Sequence, residues 1–476
     1  MRENLCSFGT KLTTTQPFIP KRVIITEKSQ DNPLAQRKLE RIRLLNPEVL
    51  VEMYDGEKIP EPNILNNKEF YEYYAETVVL ASRSSNFIEV FAAPGAIVEE
   101  MNTMCKILQH CSSRCQFCYL QVAGQDPARW QKLWTNLDDL GHQCDVEMLF
   151  NKTALTLWST ISFYKEEPFS KVPEGFKELV DQMRNMFLRK EDPIATDEAA
   201  KRYLETALAD ILLVTLGLDH NPKRFDEVKA NVRSYYNENA KLKLWINIGE
   251  YSDIVAVDHI TGYLELFMKM LEAKPELRLE FSTKSANIEN VLKYPAFKRL
   301  CVGMNFNTEH MIDRYEGGTA SLEERFAAVK LLLEKGDVLV KFTIEPIIKY
   351  DGYEEDYRRL ARRIAEELPL ADPRIVSVKV GGPRFRKQLA QEIQKNHPGI
   401  DLFTPYQGLV EPEEKDQRMR YPVEERLAIY RILMAELKDA GGRLVLGCEF
   451  PRVWEELGLY WKAHIGRHVH QYSGTT

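Results

Sequence analysis

The sequence predicts an α/β fold in which parallel strands alternate with helices. Short runs rich in β-branched and aromatic residues are separated by stretches with apolar residues at helical spacing. The runs cover residues 87–95, 242–249, 277–284, 299–307, 338–347 and 374–382. Each run is almost continuously apolar, as expected for a strand that is buried on both faces. This alternation is typical of βαβ units, in which functional side chains gather at the carboxyl ends of the strands.

Helical signals lie between these runs. Residues 258–275 and 353–368 repeat apolar residues at helical spacing, and 321–336 opens with Ser-x-x-Glu, a capping box, and closes on a glycine. Residues 140–240 lack strand periodicity and predict a mostly helical insertion. Its predicted helices cover residues 175–190, 197–218 and 222–240. The predicted organisation is an N-terminal extension (1–86), a core (87–382) that contains the insertion, and a C-terminal α/β extension (383–476).

Composition and charge narrow the class of protein. The chain has 476 residues, of which 44% are hydrophobic and 28% charged, as is usual for a globular protein in water. It begins without the apolar core of a signal peptide, and its longest apolar run, residues 211–218, is too short to cross a bilayer. We therefore expect a cytoplasmic protein without membrane contact. The net charge of −7 lowers the general attraction to phosphate, so nucleic acid is not expected as a partner.

One loop concentrates thiols. Cys111, Cys115 and Cys118 lie within eight residues, whereas the whole chain has 8 cysteines. In a reducing compartment such a group indicates a metal or catalytic site. Structural zinc usually takes four ligands, and the extra candidate, His110, directly adjoins Cys111. Three thiolates suit a [4Fe–4S] cluster with one open iron, although a zinc knuckle or three structural cysteines remain alternatives.

The loop resembles the signature of the radical S-adenosylmethionine (SAM) enzymes, Cys-x3-Cys-x-aromatic-Cys, with Phe117 as the aromatic residue. The resemblance implies two cofactors, a [4Fe–4S] cluster and SAM, whose amino and carboxylate groups bind the open iron. The reduced cluster then breaks a carbon–sulfur bond of SAM. It also implies a partial (βα)6 barrel of the TIM type as the core, and a reductase or flavodoxin-type electron donor.

Several motifs resemble the spore photoproduct lyase branch of that superfamily. They lie at residues 16–27, 109–124, 251–262, 313–336 and 345–357, so the resemblance covers most of the chain outside the insertion and the C-terminal stretch. It implies that Cys111, Cys115 and Cys118 bind the cluster. It implies further that the SAM site is formed by Phe117, Tyr119, Ser252, Asp253, Lys284, Asn305 and Asn307, and that Lys284 reaches the carboxylate of SAM.

The chain departs from that family at one position. The family places a cysteine two residues before the serine that corresponds to Ser252, and this thiol donates a hydrogen atom to the product radical. Here the position is Glu250. Gly249 and Glu250 are instead similar to a Gly-Gly-Glu motif that holds the SAM amino group in other radical SAM enzymes. Glu250, Glu345 and Cys301 are the candidate catalytic residues, with a core position as the alternative for Cys301.

The missing thiol and the acidic charge favour a small-molecule substrate, with a role in natural-product biosynthesis. One such reaction transfers the 3-amino-3-carboxypropyl group of SAM to a soft acceptor such as arsenite, as in arsinothricin synthesis. The alternative is a DNA-lesion lyase or another nucleic-acid radical enzyme, with the basic stretches 381–395 and 415–421 as its binding surface. A non-enzymatic cluster protein is a third possibility. His464 and His468 suggest a further metal site at the C-terminus, with a polar tail as the alternative.

Overall fold

The computed structural model describes residues 17–60, 67–90, 103–121, 130–148, 221–238, 244–249, 252–294, 299–400 and 418–459, together with residues 62, 205–206, 208–210, 212–213, 217 and 402. Glu250, the C-terminal histidines and most of the predicted insertion lie outside these residues. No described helix is long and apolar enough to cross a membrane.

The strands and helices follow one another in the order that the sequence predicts for the core. The strands are β1 Arg22–Thr26, β2 Leu50–Tyr54, β3 Thr77–Ala81, β4 Ile88–Val90, β5 Thr103–Cys105, β6 Leu108–Gln109, β7 Gln131–Trp134, β8 Leu244–Asn247, β9 Leu277–Thr283, β10 Leu300–Phe306, β11 Leu339–Ile344, β12 Ile375–Val380 and β13 Leu444–Leu446. The principal helices are α1 Pro33–Leu45, α2 Asn67–Ala75, α3 Pro222–Glu238, α4 Asp258–Thr261, α5 Tyr263–Ala273, α6 Glu289–Leu292, α7 Glu309–Tyr315, α8 Leu322–Lys335, α9 Tyr353–Glu367, α10 Lys387–Asn396, α11 Val423–Glu436 and α12 Pro451–Glu456.

An eight-stranded sheet forms the core of the molecule. Its strand order is β13-β12-β11-β10-β9-β8-β5-β4, and every pair is parallel except β4 with β5. The side chains of β10 and β12 are mostly buried, since helices cover the outer face of the sheet. The predicted α/β class is confirmed, and five of the six predicted runs form parallel strands. The run 87–95 is described only to residue 90, where β4 pairs antiparallel with β5. In the described part of the chain, the end strands β13 and β4 do not pair with each other.

A second, five-stranded sheet has the order β2-β1-β3-β7-β6. It is parallel except for the pair of β6 and β7. It meets the larger sheet through helices: α1 packs against α4, and the hydroxyl of Tyr263 on α5 donates to the carbonyl of Trp134 at 2.7 Å. The sequence predicts residues 1–86 as an N-terminal extension. The structure shows that this segment supplies three strands of the second sheet.

Local signals explain two helix boundaries in the core. Ser321 caps α8 by accepting from the backbone N–H of Glu324, whose carboxylate accepts from the N–H of Ser321, so the predicted capping box is confirmed. The helix predicted over 258–275 is divided instead at Gly262. Gly262 has φ +63°, a left-handed conformation that glycine adopts without steric cost.

Candidate active site

The three-cysteine loop lies between β6 and a short 3-10 turn at Tyr119–Gln121. Two non-glycine residues in and beside it, His110 and Arg114, have positive φ angles of 62° and 53°. Strained backbone of this kind persists only where its surroundings hold it. The segment after α7 supplies that support, because the carbonyl of Tyr315 accepts from the N–H of Gln116 at 2.8 Å and the N–H of Gly318 donates to the carbonyl of Ser113 at 3.1 Å.

The loop forms one wall of a cavity of about 880 Å³ at the carboxyl ends of the strands of the larger sheet. The cavity is lined by eleven of the residues that the sequence singles out: Cys111, Cys115, Phe117, Cys118, Tyr119, Gly249, Ser252, Asp253, Lys284, Asn305 and Glu345.

Two other predicted site residues are buried away from the cavity wall. Asn307 is 1% exposed, and its side-chain oxygen accepts from the hydroxyl of Tyr357 at 2.8 Å and from the N–H of Thr308 at 3.0 Å. Cys301 is also 1% exposed and lies within the core strand β10. Glu250, the third candidate catalytic residue, lies outside the described residues.

Of the three cysteines in the loop, Cys115 is buried, whereas Cys111 and Cys118 are partly exposed at the cavity. Burial raises the pKa of Cys111, Cys115 and Cys118 to about 12 each, so these thiols keep their protons at neutral pH until a metal displaces them. In the described part of the chain, no three His, Cys, Asp or Glu side chains converge on a single ion. Cysteines that bind separate irons of a cluster need not converge on one point, so this donor set fits a [4Fe–4S] cluster.

Lys284 lies directly beside the loop. Its ammonium donates to a carboxylate oxygen of Glu316 at 2.6 Å and to the Cys115 sulfur at 3.6 Å, and it lies 4.6 Å from the centre of the Phe117 ring. Burial alone would lower the pKa of Lys284, but the nearby Cys115 and Glu316 raise it above its usual value. The lysine therefore carries a fixed positive charge next to the cluster ligands.

Three further polar side chains of the site differ in whether they have hydrogen-bond partners. The carboxylate of Asp253 accepts from the hydroxyl of Thr283 and from the backbone N–H of Lys284, both at 2.8 Å. Burial raises the pKa of Asp253 in spite of these bonds. The side-chain oxygens of Ser252 and Asn305 are buried and have no hydrogen-bond partner among the described residues. Buried polar atoms are rarely left unpaired, so these two suit a polar ligand such as SAM.

Glu345 enters the cavity from the end of β11 and fits between two glycines. A Cβ atom at Gly381 would lie 2.8 Å from its carboxyl carbon, and one at Gly447 would lie 2.7 Å from a carboxylate oxygen. Lys379 lies 4.0 Å from the same carboxylate. The two glycines therefore provide the space that this carboxylate occupies.

Sequence reasoning did not select several residues at this site. Glu316 lies within the motif at residues 313–336, and Arg384, Arg386 and Arg418 lie within the two basic stretches. The sequence therefore indicated the segments that contain these four residues, but not the residues themselves. Arg384, Arg386 and Arg418 line the cavity, as does Cys448 at the end of β13. No sequence pattern indicated Cys448.

Comparisons with known proteins agree with the motifs. Residues 215–421 match the family model described as spore photoproduct lyase. The spore photoproduct lyase of Geobacillus sp. (strain Y412MC61) is 26% identical over 200 residues, which are 42% of this chain and 57% of that protein. The enzyme of Bacillus subtilis (strain 168) is 27% identical over 178 residues, 37% of this chain and 52% of that protein. The chain thus spans about half the length of these relatives.

Solved structures show the same fold. A spore photoproduct lyase complexed with dinucleoside spore photoproduct has a TM-score of 0.59 and 17% identity, and the match covers 90% of this chain and 99% of that one. A double mutant with bound AdoMet and dinucleoside spore photoproduct has a TM-score of 0.58 and 17% identity, with the same coverage. The AdoMet bound in that structure is one of the two cofactors that the resemblance implies for this chain.

One expectation is wrong. Composition and net charge led us not to expect nucleic acid as a partner, yet the solved relatives contain a dinucleoside lesion. Net charge is a poor guide here because it averages over the whole surface, whereas binding depends on charge near the site. The findings also favour the lyase-like alternative over aminocarboxypropyl transfer. The matched region, the curated relatives and the shared fold therefore make the chain similar to the spore photoproduct lyases, as its motifs imply.

Proposed function

We propose that this enzyme carries out radical chemistry on a nucleic-acid substrate, as a lyase that acts on a damaged or modified base. When the cluster and SAM are bound, they supply the radical that starts such chemistry. The chain itself supplies a cavity that holds the cofactors at one wall and accepts a phosphate-bearing substrate at another.

The charge of the cavity wall is the observation that carries this proposal. Among the residues that the structure describes, eight cationic side chains line the cavity against three carboxylates, although the chain as a whole has a net charge of −7. The cations are Arg83, Lys106, Lys284, Lys341, Lys379, Arg384, Arg386 and Arg418. A cleft lined by one sign of charge attracts ligands of the opposite sign, and the phosphodiester backbone is such a ligand.

Not all of these cations contribute equally. Lys341 lies 3.2 Å from the carboxylate of Glu280, and Arg83 lies 2.9 Å from that of Glu89, so much of their charge is balanced within the protein. Lys284 is similarly paired with Glu316. The two basic stretches contribute three further cations to the cavity wall, the arginines Arg384, Arg386 and Arg418.

A backbone bridge brings those stretches together. Phe385 and Met419 form an isolated antiparallel bridge, in which the N–H of Met419 donates to the carbonyl of Phe385 at 2.8 Å. Arg384, Arg386 and Arg418 flank this bridge and line the cavity. Guanidinium groups bind phosphate through paired hydrogen bonds, so three of them on one wall suit a phosphodiester.

The experiment uses the holoenzyme with a chemically defined lesion. The purified chain is reconstituted with iron and sulfide without oxygen, and then incubated with SAM, dithionite and the dinucleotide form of spore photoproduct, in which a phosphodiester joins the two thymidines. We expect thymidine dinucleotide and 5′-deoxyadenosine, detected by mass spectrometry. Cleavage of SAM without consumption of the dinucleotide would contradict the proposed substrate. Formation of 5′-methylthioadenosine would contradict the proposed reaction and support group transfer instead.

A second assay tests binding alone. The affinity of the enzyme for single-stranded oligonucleotides is measured between 50 and 200 mM salt. A contact with a few phosphates should lower the association constant steeply as salt increases, by roughly tenfold or more over that range. Binding that does not depend on salt would exclude a phosphate-directed site.

A further inference from the structure

We propose that Glu316 is a positioning residue for SAM, acting through Lys284. The proposal rests on the role that the family resemblance implies for Lys284, which is to reach the carboxylate of SAM. Glu316 itself does not line the cavity.

Glu316 is fully buried and holds two cations at once. One of its carboxylate oxygens accepts from Lys284 at 2.6 Å, and the other accepts from Arg325 at 2.6 Å. The side chains of Glu316 and Arg325 are both 0% exposed. Burial alone would raise the pKa of Glu316, but the charges of Lys284 and Arg325 lower it to about 2, so it remains a carboxylate at any physiological pH.

This arrangement fixes the position of the Lys284 ammonium. A lysine side chain has four rotatable bonds, and holding it in one place is entropically costly unless a partner anchors it. Its ammonium has three N–H donors, of which one is directed to Glu316 and one to the Cys115 sulfur. No described residue is recorded as accepting from the third N–H, which is therefore available to a carboxylate in the cavity that Lys284 lines.

Arg325 in turn anchors Glu316 to the framework. Its guanidinium donates to the backbone carbonyl of Asn305 at 2.8 Å and to that of Ala320 at 2.9 Å. The N–H of Ala320 donates to the carbonyl of Lys284 at 2.9 Å, which closes the network. Glu316 therefore joins the lysine beside the cluster loop to the strand end that carries Asn305.

The balance of charge in this cluster has a further consequence. Lys284, Glu316 and Arg325 together carry one net positive charge, next to the three cluster cysteines. Without the carboxylate, two buried cations would repel each other and Lys284 would lose its anchor. An arrangement that presents one ammonium to an incoming carboxylate thus depends on Glu316.

The test is a double-mutant cycle on SAM affinity. The variants are K284M, E316Q and the double variant, each reconstituted and analysed for iron and sulfide. SAM dissociation constants are measured by equilibrium dialysis, and the reduced cluster is followed by EPR with and without SAM. We expect K284M to weaken SAM binding by about 10-fold or more, as for a lost charge-assisted hydrogen bond. E316Q should weaken it by a smaller factor and reduce the change that SAM makes to the EPR spectrum.

The double variant decides the mechanism. If Glu316 acts through Lys284, K284M/E316Q binds SAM as weakly as K284M alone, because the lysine that Glu316 positions is already gone. Unchanged affinity in E316Q, or losses that simply multiply in the double variant, would overturn the proposal. Unchanged affinity in K284M would instead overturn the role of Lys284.

Two further variants guard against a folding defect. The E316D variant keeps the negative charge and should bind SAM more tightly than E316Q. If E316Q loses its cluster, the proposal still requires E316D to bind SAM more weakly than the wild type. Glu323→Gln removes a carboxylate that pairs with Arg363 on the exposed surface, and it should leave SAM affinity and the EPR spectrum unchanged.

Discussion

The backbone N–H of Gly318 donates to the carbonyl of Ser113 at 3.1 Å, and this contact ties the three-cysteine loop to a segment some 200 residues later in the chain. The approach is so close that a Cβ atom at Gly318 would lie 2.7 Å from the Ser113 oxygen. The neighbouring Gly317 has open space around it.

These two glycines form a matched pair for mutation. We expect Gly318→Ala to displace the loop, to lower the iron and sulfide bound per chain, and to cost about 1–3 kcal/mol of stability, as overpacking does. Gly317→Ala should bind the cluster normally. The measurement is iron and sulfide content after reconstitution, with a thermal melt of each variant. Equal iron content in both variants would show that the Ser113 contact does not position the loop.

Lys38 should make stability depend on pH. It is 1% exposed, its ammonium has no hydrogen-bond partner among the described residues, and it lies 4.6 Å from the centre of the Tyr263 ring. Burial, with the charges of Arg41 and Arg37, lowers its pKa from 10.5 to about 7. Between these two pH values the unfolded chain binds the additional proton, so the free energy of unfolding rises as pH increases from about 7 to about 10.

Lys38→Met tests this dependence. The substitution removes a buried ionisable group and keeps a similar volume, so we expect it to raise the free energy of unfolding at pH 7 by about 1–3 kcal/mol. It should also flatten the pH dependence between 7 and 10. Chemical denaturation at several pH values measures both. Lys21→Met, at a lysine whose side chain is 71% exposed, is the control and should change stability by less than about 0.5 kcal/mol. A pH profile that K38M leaves unchanged would contradict the assignment.

The arginines beside the Phe385–Met419 bridge should govern oligonucleotide affinity. We expect Arg386→Gln and Arg418→Gln each to weaken binding and to reduce the dependence of log affinity on log salt by about one phosphate contact. SAM affinity should not change. Arg362→Gln is the control, because Arg362 pairs with Glu436 on the exposed surface and does not line the cavity. Identical salt slopes in all three variants would place the substrate elsewhere.

Cys448 offers a way to detect an occupied cavity. It lines the cavity and is 7% exposed, whereas Cys301 is 1% exposed in the core. We expect iodoacetamide to modify Cys448 faster than Cys301 in the native holoenzyme, and a bound dinucleotide to slow only the former. Peptide mass spectrometry measures both rates in one sample. A rate at Cys448 that does not respond to saturating ligand would show that the dinucleotide binds outside the cavity.

The larger sheet could be predicted because its longer strands carry a clear apolar pattern. β10 is buried at six of its seven positions, and β9 alternates buried and half-buried residues over seven positions, so both patterns are long enough to stand out. By contrast, β5 and β6 have three and two residues, too few for any periodicity. The pairing in the second sheet could not be predicted, although "RVIIT" and "TVVLA" carry β-branched residues. Its strands lie far apart in the sequence, so no local pattern indicates which of them are partners.

The residues of the site also fall into those that a local pattern predicts and those that it does not. Residues within a local motif, such as Cys111, Phe117 and Asp253, could be selected from spacing and resemblance. Glu316 could not, because its importance arises from contact with Lys284, 32 residues away. Arg418 reaches the cavity through the bridge between Met419 and Phe385. A basic stretch alone does not reveal that contact, because a solvent-exposed helix face can have the same composition.

The two glycines on either side of Glu345 have an implication for how this gene can change. Gly381 and Gly447 follow different strands and lie 66 positions apart, yet any side chain at either one would contact the same carboxylate. Substitutions at the two positions are therefore not independent. Once one glycine has been replaced and Glu345 has been displaced, a substitution at the other glycine no longer causes a clash with that carboxylate. Among descendants of this sequence, the two positions should be lost together more often than their separation suggests, and Glu345 with them.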